Sequence, residues 1–235
     1  MRSHHRISLG LTVLVALAAG CSDSEPATSE SEPSSSSAAA EQRHILTPER
    51  RQVLAQLTEG LNYRIFETPQ ELAADRTAVF TGTVDSVVPG RSLVSDSDGP
   101  RTRDNTVVVR IRVDKQIKDQ SGVSANGLIF VSMPRGINAI TAHGEIIPGD
   151  PNPSVAEVRA SITGVRVAVI SQPENLDALL EGLSIAVEKD PNPVPRGAAL
   201  LEGIHPQTLV FDQGPDRLTA WPDYTYDEFL AALSG

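Results

Sequence analysis

The sequence predicts an α+β, mainly β fold of antiparallel strands with short flanking helices and a C-terminal helix. Three observations lead there. Apolar and polar residues alternate through "TAVFTGTVDSVV" (77–88) and "TVVVRIRVDKQIK" (106–118), the period-two spacing that gives a strand one core face. Further apolar runs are short and bounded by Gly, Asn and Pro, as strands are. Capping signals for short helices stand before the first alternating run and at the very end of the chain.

Each element follows in order. Thr47 is an N-cap with Pro48 at the first helical position, and Val53, Leu54, Leu57 and Leu61 form one stripe of a helix that stops at Gly60. In "TPQELAAD", Thr68 and Glu71 have capping-box spacing around Pro69. In the first strand Phe80, Val84 and Val88 share a face with Ala78 and Gly82, opposite Thr81, Thr83 and Asp85. In the second, Val107, Val109, Ile111 and Val113 point one way, and Arg110, Arg112 and Asp114 the other. "GLIFVSM" (127–133), "VAEVRA" (155–160) and "GVRVAVIS" (164–171) read as further strands, and "ENLDALLEG" (174–182) as a short helix ending at Gly182. "QTLVFD" (207–212) and "LTAW" (218–221), joined by "QGPD", read as a late hairpin. Thr225 and Glu228 box the last helix, whose apolar stripe is Phe229, Leu230 and Leu233.

Ahead of these elements, Arg2 and Arg6 precede the apolar run "ISLGLTVLVALAA", and Ala18, Ala19 and Gly20 lead into Cys21, the single cysteine. The run is shorter than the roughly twenty apolar residues of a membrane span. Residues 1–20 with Cys21 resemble a bacterial lipoprotein signal, the lipobox, although Ala18 stands where Leu is usual. The resemblance implies cleavage after Gly20, diacylglycerol on the Cys21 sulfur, and a chain held at the extracytoplasmic face of the cell membrane. An ordinary secretory signal, cut after Ala19 or Gly20, is the alternative and leaves a free thiol. From residue 22 to 42 there are eight Ser, five acids, no basic residue and no large apolar side chain. Such a segment cannot offset its ordering entropy, so residues 21–43 are expected to be a lipidated Cys and a disordered tether, spanning about 25 Å.

Residues 44–235 then form one globular domain, with a β core at 68–171 and a C-terminal subdomain at 190–235. The whole chain carries a net charge of −10, and loss of residues 1–20 removes two arginines and no acid, leaving −12. That argues against nucleic acid or an anionic bilayer surface as the main partner. The order "EL-A-AD-x-x-V-x-x-G-T-V" followed by "V-x-V-x-I-x-V-x-K-x-I-K" is similar to a design found in secreted lipoproteins of actinobacteria. More remotely it resembles the small OB-like barrels of netrin and tissue-inhibitor modules. What this resemblance implies is architectural: an OB-like antiparallel barrel or sandwich. The cysteines that staple those inhibitor modules are absent.

Catalytic signals are weak. "SDSDG" (95–99) has part of a calcium-loop spacing, but Val94 and Asn105 fall where the first ligand and the bidentate acid belong. His44, His143 and His205 have no zinc spacing, and there is no G-x-S-x-G or phosphate-cradling Gly-rich loop. No metal or cofactor is expected. Asp-Pro-Asn-Pro occurs at 150–153 and 190–193, a rigid turn sequence or a trace of duplication. Two surfaces carry binding candidates. Arg110 and Arg112 share a strand face and could hold an anion such as a wall-polymer phosphate; cross-strand pairing with acids such as Asp85 explains them too. Trp221, Tyr224 and Tyr226 could stack on a sugar ring, or pack the last helix against the barrel. The expected function is a non-enzymatic binding or interaction module of the cell envelope, its partner an envelope protein or wall polymer. The alternative is an envelope hydrolase whose site assembles in space, which requires a cleft collecting His143 or His205 with two or more carboxylates.

Overall fold

The structure is a computed structural model that describes residues 45–57, 64–96, 100–120, 122–149, 152–182, 184–189, 191 and 193–234. The expected signal (1–20), Cys21, the expected tether, Gly60, Leu61 and residues 97–99 lie outside those residues.

Five helices and seven strands are described: α1 (Pro48–Ala55), α2 (Pro69–Asp75), β1 (Ala78–Ser95), β2 (Thr102–Asp119), β3 (Leu128–Ala139), α3 (Val155–Ile162), β4 (Arg166–Ser171), α4 (Leu176–Leu180), β5 (Ile185–Lys189), β6 (Leu200–Glu202), β7 (Leu209–Phe211) and α5 (Tyr226–Ser234). The fold is mainly β. All strands join one sheet in the order β6-β3-β2-β1-β4-β7, with β5 on the far end of β1. It is not a closed barrel, nor is it wholly antiparallel: β6 runs parallel to β3. A parallel neighbour needs a long crossover, and the chain from α3 through β5 supplies it. The C-terminal strands β6 and β7 belong to this same sheet.

Alternation positions the core as the sequence predicts through β2 and as far as Val84 of β1; a register shift between Val84 and Ser86 then buries Val87 in place of the expected Val88, which is half-buried. Val84 pairs with Ile111 and Val87 with Val109 across β1 and β2. Together with Phe80, Val107, Ile129 and Val131 they are buried in one cluster, which Val158 and Ile162 of α3 complete. The opposite face packs Val79, Ala168, Ile170 and Val210 against Leu72 of α2 and Phe229 and Leu233 of α5. Successive residues of β4 thus enter different cores, which accounts for its nearly continuous apolar run.

Two expected elements differ. "VAEVRA" is helix and not strand, because Ser154 and Glu157 close a full capping box: Glu157 N donates to Ser154 Oγ at 3.2 Å and Ser154 N to Glu157 Oε2 at 2.7 Å. The same apolar residues then repeat at helical spacing, with Val158 and Ile162 buried. The late hairpin does not form either. Residues 209–211 find a longer partner in β4, and 218–221 instead close a turn in which Leu218 N donates to Tyr224 O at 2.9 Å. The box on α5 forms as expected, with Thr225 N donating to Glu228 Oε2 at 2.8 Å.

Periodicity misses one further feature. Val107 pairs with Pro89 and Asn105 with Ser92, so Gly90 and Arg91 together oppose Thr106. On the other side Thr106 pairs with Pro134 and Asn105 with Gly136, which leaves Arg135 as an extra residue in β3. Two β-bulges therefore flank Thr106, and bulges re-aim side chains.

Candidate functional site

A cavity of about 380 Å³ opens beneath α1. Pro48 starts that helix and presents Leu54 and Ala55 inward; Leu46 and Leu57 flank it, both buried. The opposite wall is Met133 of β3 with Leu209 and Phe211 of β7. This volume lies within the about 300–1,000 Å³ usual for small-molecule sites, and exceeds twice the roughly 150 Å³ of an apolar cavity that admits benzene.

Few polar groups reach the cavity, and they are engaged with one another. Arg51 donates to Gln213 Oε1 at 3.0 Å and to Asp216 Oδ2 at 2.7 Å, and Gln213 Nε2 donates to Thr219 Oγ1 at 3.1 Å. His205 also lines the wall. Its Nδ1 accepts from Gln207 N at 3.1 Å, so Nε2 carries the proton that it donates to Arg64 O at 2.7 Å. Burial lowers the His205 pKa, and the imidazole stays neutral. With both ring nitrogens committed, this histidine is a wall and not a poised base. No Asp or Glu is among the described lining residues. His143 is exposed in the Thr141–Glu145 turn, and among the described residues no three His, Cys, Asp or Glu side chains gather as a metal site would require.

The sequence-predicted residues lie elsewhere. Arg110 Nε donates to Asp85 Oδ2 at 2.6 Å, the cross-strand pairing that explains it without a ligand. Arg112 is exposed on the same face and makes no side-chain hydrogen bond or ion pair among the described residues. The aromatic surface is corrected outright. Trp221 and Tyr226 are only 3% and 2% exposed. Trp221 Nε1 donates to Gln207 O at 3.3 Å, and its ring packs 5.5 Å from that of Phe229. Tyr224, partly buried, meets the same two rings edge-on. Because α5 needs a core of its own on the outer face of β4, these rings supply it, and no sugar can stack there without opening that core. Sequence missed the cavity because its walls come from four separated segments.

Burial pushes the Asp104 carboxyl up to about 6 from its usual 3.8. The folded chain therefore holds that proton more tightly than the unfolded one. The stability it contributes is complete below about pH 4 and is lost as pH rises through about 6. Asp104→Asn should be more stable than the native chain by about 2 kcal/mol at pH 7.5, with the gap closing by about pH 3.5. Thermal melts at the two pH values check this; equal gaps at both would mean that Asp104 titrates normally.

Comparison with protein-family models, with curated proteins and with solved structures finds no match to this chain.

Proposed function

We propose that this chain is a membrane-anchored, extracytoplasmic lipoprotein, held by lipid on Cys21, whose domain binds an apolar ligand of the cell envelope without chemistry. The cavity beneath α1 is the observation that carries the reading: about 380 Å³, walled by Leu, Met, Phe and Pro, with a lone committed histidine. A hydrolase would want carboxylates converging on that histidine, and the described lining offers none. A sheet curled in the OB-like manner is part of this reading. It is supported beyond β4, where Glu202 N donates to Gln172 O at 3.0 Å and Glu174 N to Leu200 O at 2.8 Å, drawing β6 toward the end of β4.

The test uses the Cys21→Ser chain, free of lipid, and an apolar naphthylamine fluorophore as probe. Binding at micromolar concentration is expected, and Ala220→Trp, which fills the cavity from its lining, should weaken it at least about tenfold. Absence of probe binding, or unchanged binding in the filled variant, would overturn the ligand reading. In cells the same Cys21→Ser chain should take up no labelled fatty acid; normal labelling would overturn the anchor.

A further inference from the structure

A second cavity, of about 440 Å³, lies where the two bulges meet. Its floor is Gly90, Ser92, Asn105 and Thr106; Arg135 and Lys189 stand at its sides. None of its lining residues lines the apolar cavity, and it does not rest on the reading of that cavity. We propose that this cleft binds a phosphate-class oxyanion, gripped by Arg135 and Lys189.

In a chain of net charge −10, cations normally find carboxylates, and most arginines here do: Arg91 with Glu174, Arg103 with Glu188, Arg166 with Asp212. Among the described residues, Arg135 and Lys189 form no ion pair with a carboxylate. Arg135 donates only to a carbonyl, Pro153 O, at 3.0 Å, and among the described residues no Asp or Glu lines the cleft. Desolvation already depresses the Arg135 pKa, the expected effect on a half-buried cation without a counter-charge. A guanidinium so placed keeps its remaining donors for a ligand, and its planar fork matches two phosphate oxygens.

Geometry supplies the second line. Arg135 is the extra residue of the β3 bulge, so the bulge and not the strand pleat aims it. The bulge is held open by Gly136, at φ +112°, where a Cβ would sit 2.3 Å from Asn152 Oδ1. Opposite, a Cβ on Gly90 would sit 2.4 Å from Thr106 Oγ1, so no larger side chain can close the floor. Each Asp-Pro-Asn-Pro segment contributes a described residue here. Pro153 of the first anchors Arg135, and Pro191 of the second lines the cleft beside Lys189. Val155, the first residue of α3, completes the wall.

The experiment uses the whole chain reconstituted in phosphatidylcholine vesicles, with the fluorescence of Trp221 reporting unfolding. Inorganic phosphate or glycerol phosphate at about 10 mM, against chloride of equal ionic strength, should raise the melting temperature by about 3 °C for millimolar affinity. Arg135→Gln and Lys189→Gln should each weaken that binding at least about tenfold and remove the shift. Lys189 is exposed at the end of β5, so its variant keeps the test decisive should Arg135→Gln misfold. Vesicles doped with phosphatidylglycerol distinguish the source: a shift there alone assigns a lipid headgroup, and a shift with the soluble anions assigns a free phosphate. No shift with any of the three, or a shift that survives both substitutions, would overturn the proposal.

Discussion

Ile111→Asp should leave no folded domain at 25 °C. Ile111 is fully buried opposite Val84, in the cluster that also holds Val107, Val109 and Ile129. Aspartate there loses the apolar burial and strands a carboxylate with no donor in reach. The combined cost is about 5 kcal/mol or more, against a total stability of about 5–15 kcal/mol. Arg110→Ala and Arg112→Ala, on the other face of the same strand, should each cost under about 1 kcal/mol. The Arg110–Asp85 pair is partly exposed, with side chains 44% and 30% accessible, and such pairs stabilise little. Circular dichroism and urea titration of the three variants check the contrast. An Ile111→Asp chain that melts cooperatively near the native temperature would refute the core assignment of β2.

The second large effect lies at Arg166. Its Nε donates to Asp212 Oδ2 at 2.8 Å, Gly214 N donates to Oδ1 at 2.8 Å, and the guanidinium lies 5.2 Å from the centre of the Tyr226 ring. The partners are buried unequally: the Asp212 side chain is 1% exposed and that of Arg166 45%. Removing the arginine strands a buried carboxylate, whereas removing the acid leaves an arginine able to turn to water. Arg166→Met should therefore cost about 3–5 kcal/mol and Asp212→Asn only about 1–2. The double variant should be more stable than Arg166→Met alone. Equal costs for the two single variants in urea titrations would show that burial does not decide this pair.

Much of the fold was legible because its signals are local. The alternation in β2 and the first half of β1, the Thr68 cap and the box Thr225–Glu228 depend on residues within a few positions of one another, and they form; Glu71, however, accepts from Glu67 N and not from Thr68 N, so the first box is only half closed. "VAEVRA" failed for the same reason: a six-residue apolar run satisfies either period, and the box that decides it begins one residue upstream at Ser154. Trp221 and Tyr226 looked like surface candidates because their pattern carries no record of which face α5 would cover.

Sequence by itself determined which residues face inward along β2 and the first half of β1, where the capped helices begin, and the charge against which every cation must be judged. Only the tertiary structure decided that Arg110 belongs to Asp85, that Leu46 and Phe211 line a cavity, and that Arg135 and Lys189 line one cleft with no carboxylate among its described lining residues. The physical reason is separation along the chain. Faces and caps arise from backbone periods a few residues long, whereas cavities and unpaired charges arise where segments far apart in sequence fail to fill the space or the potential between them. A bulge of one residue is enough to create such a place, and the binary pattern carries no mark of it.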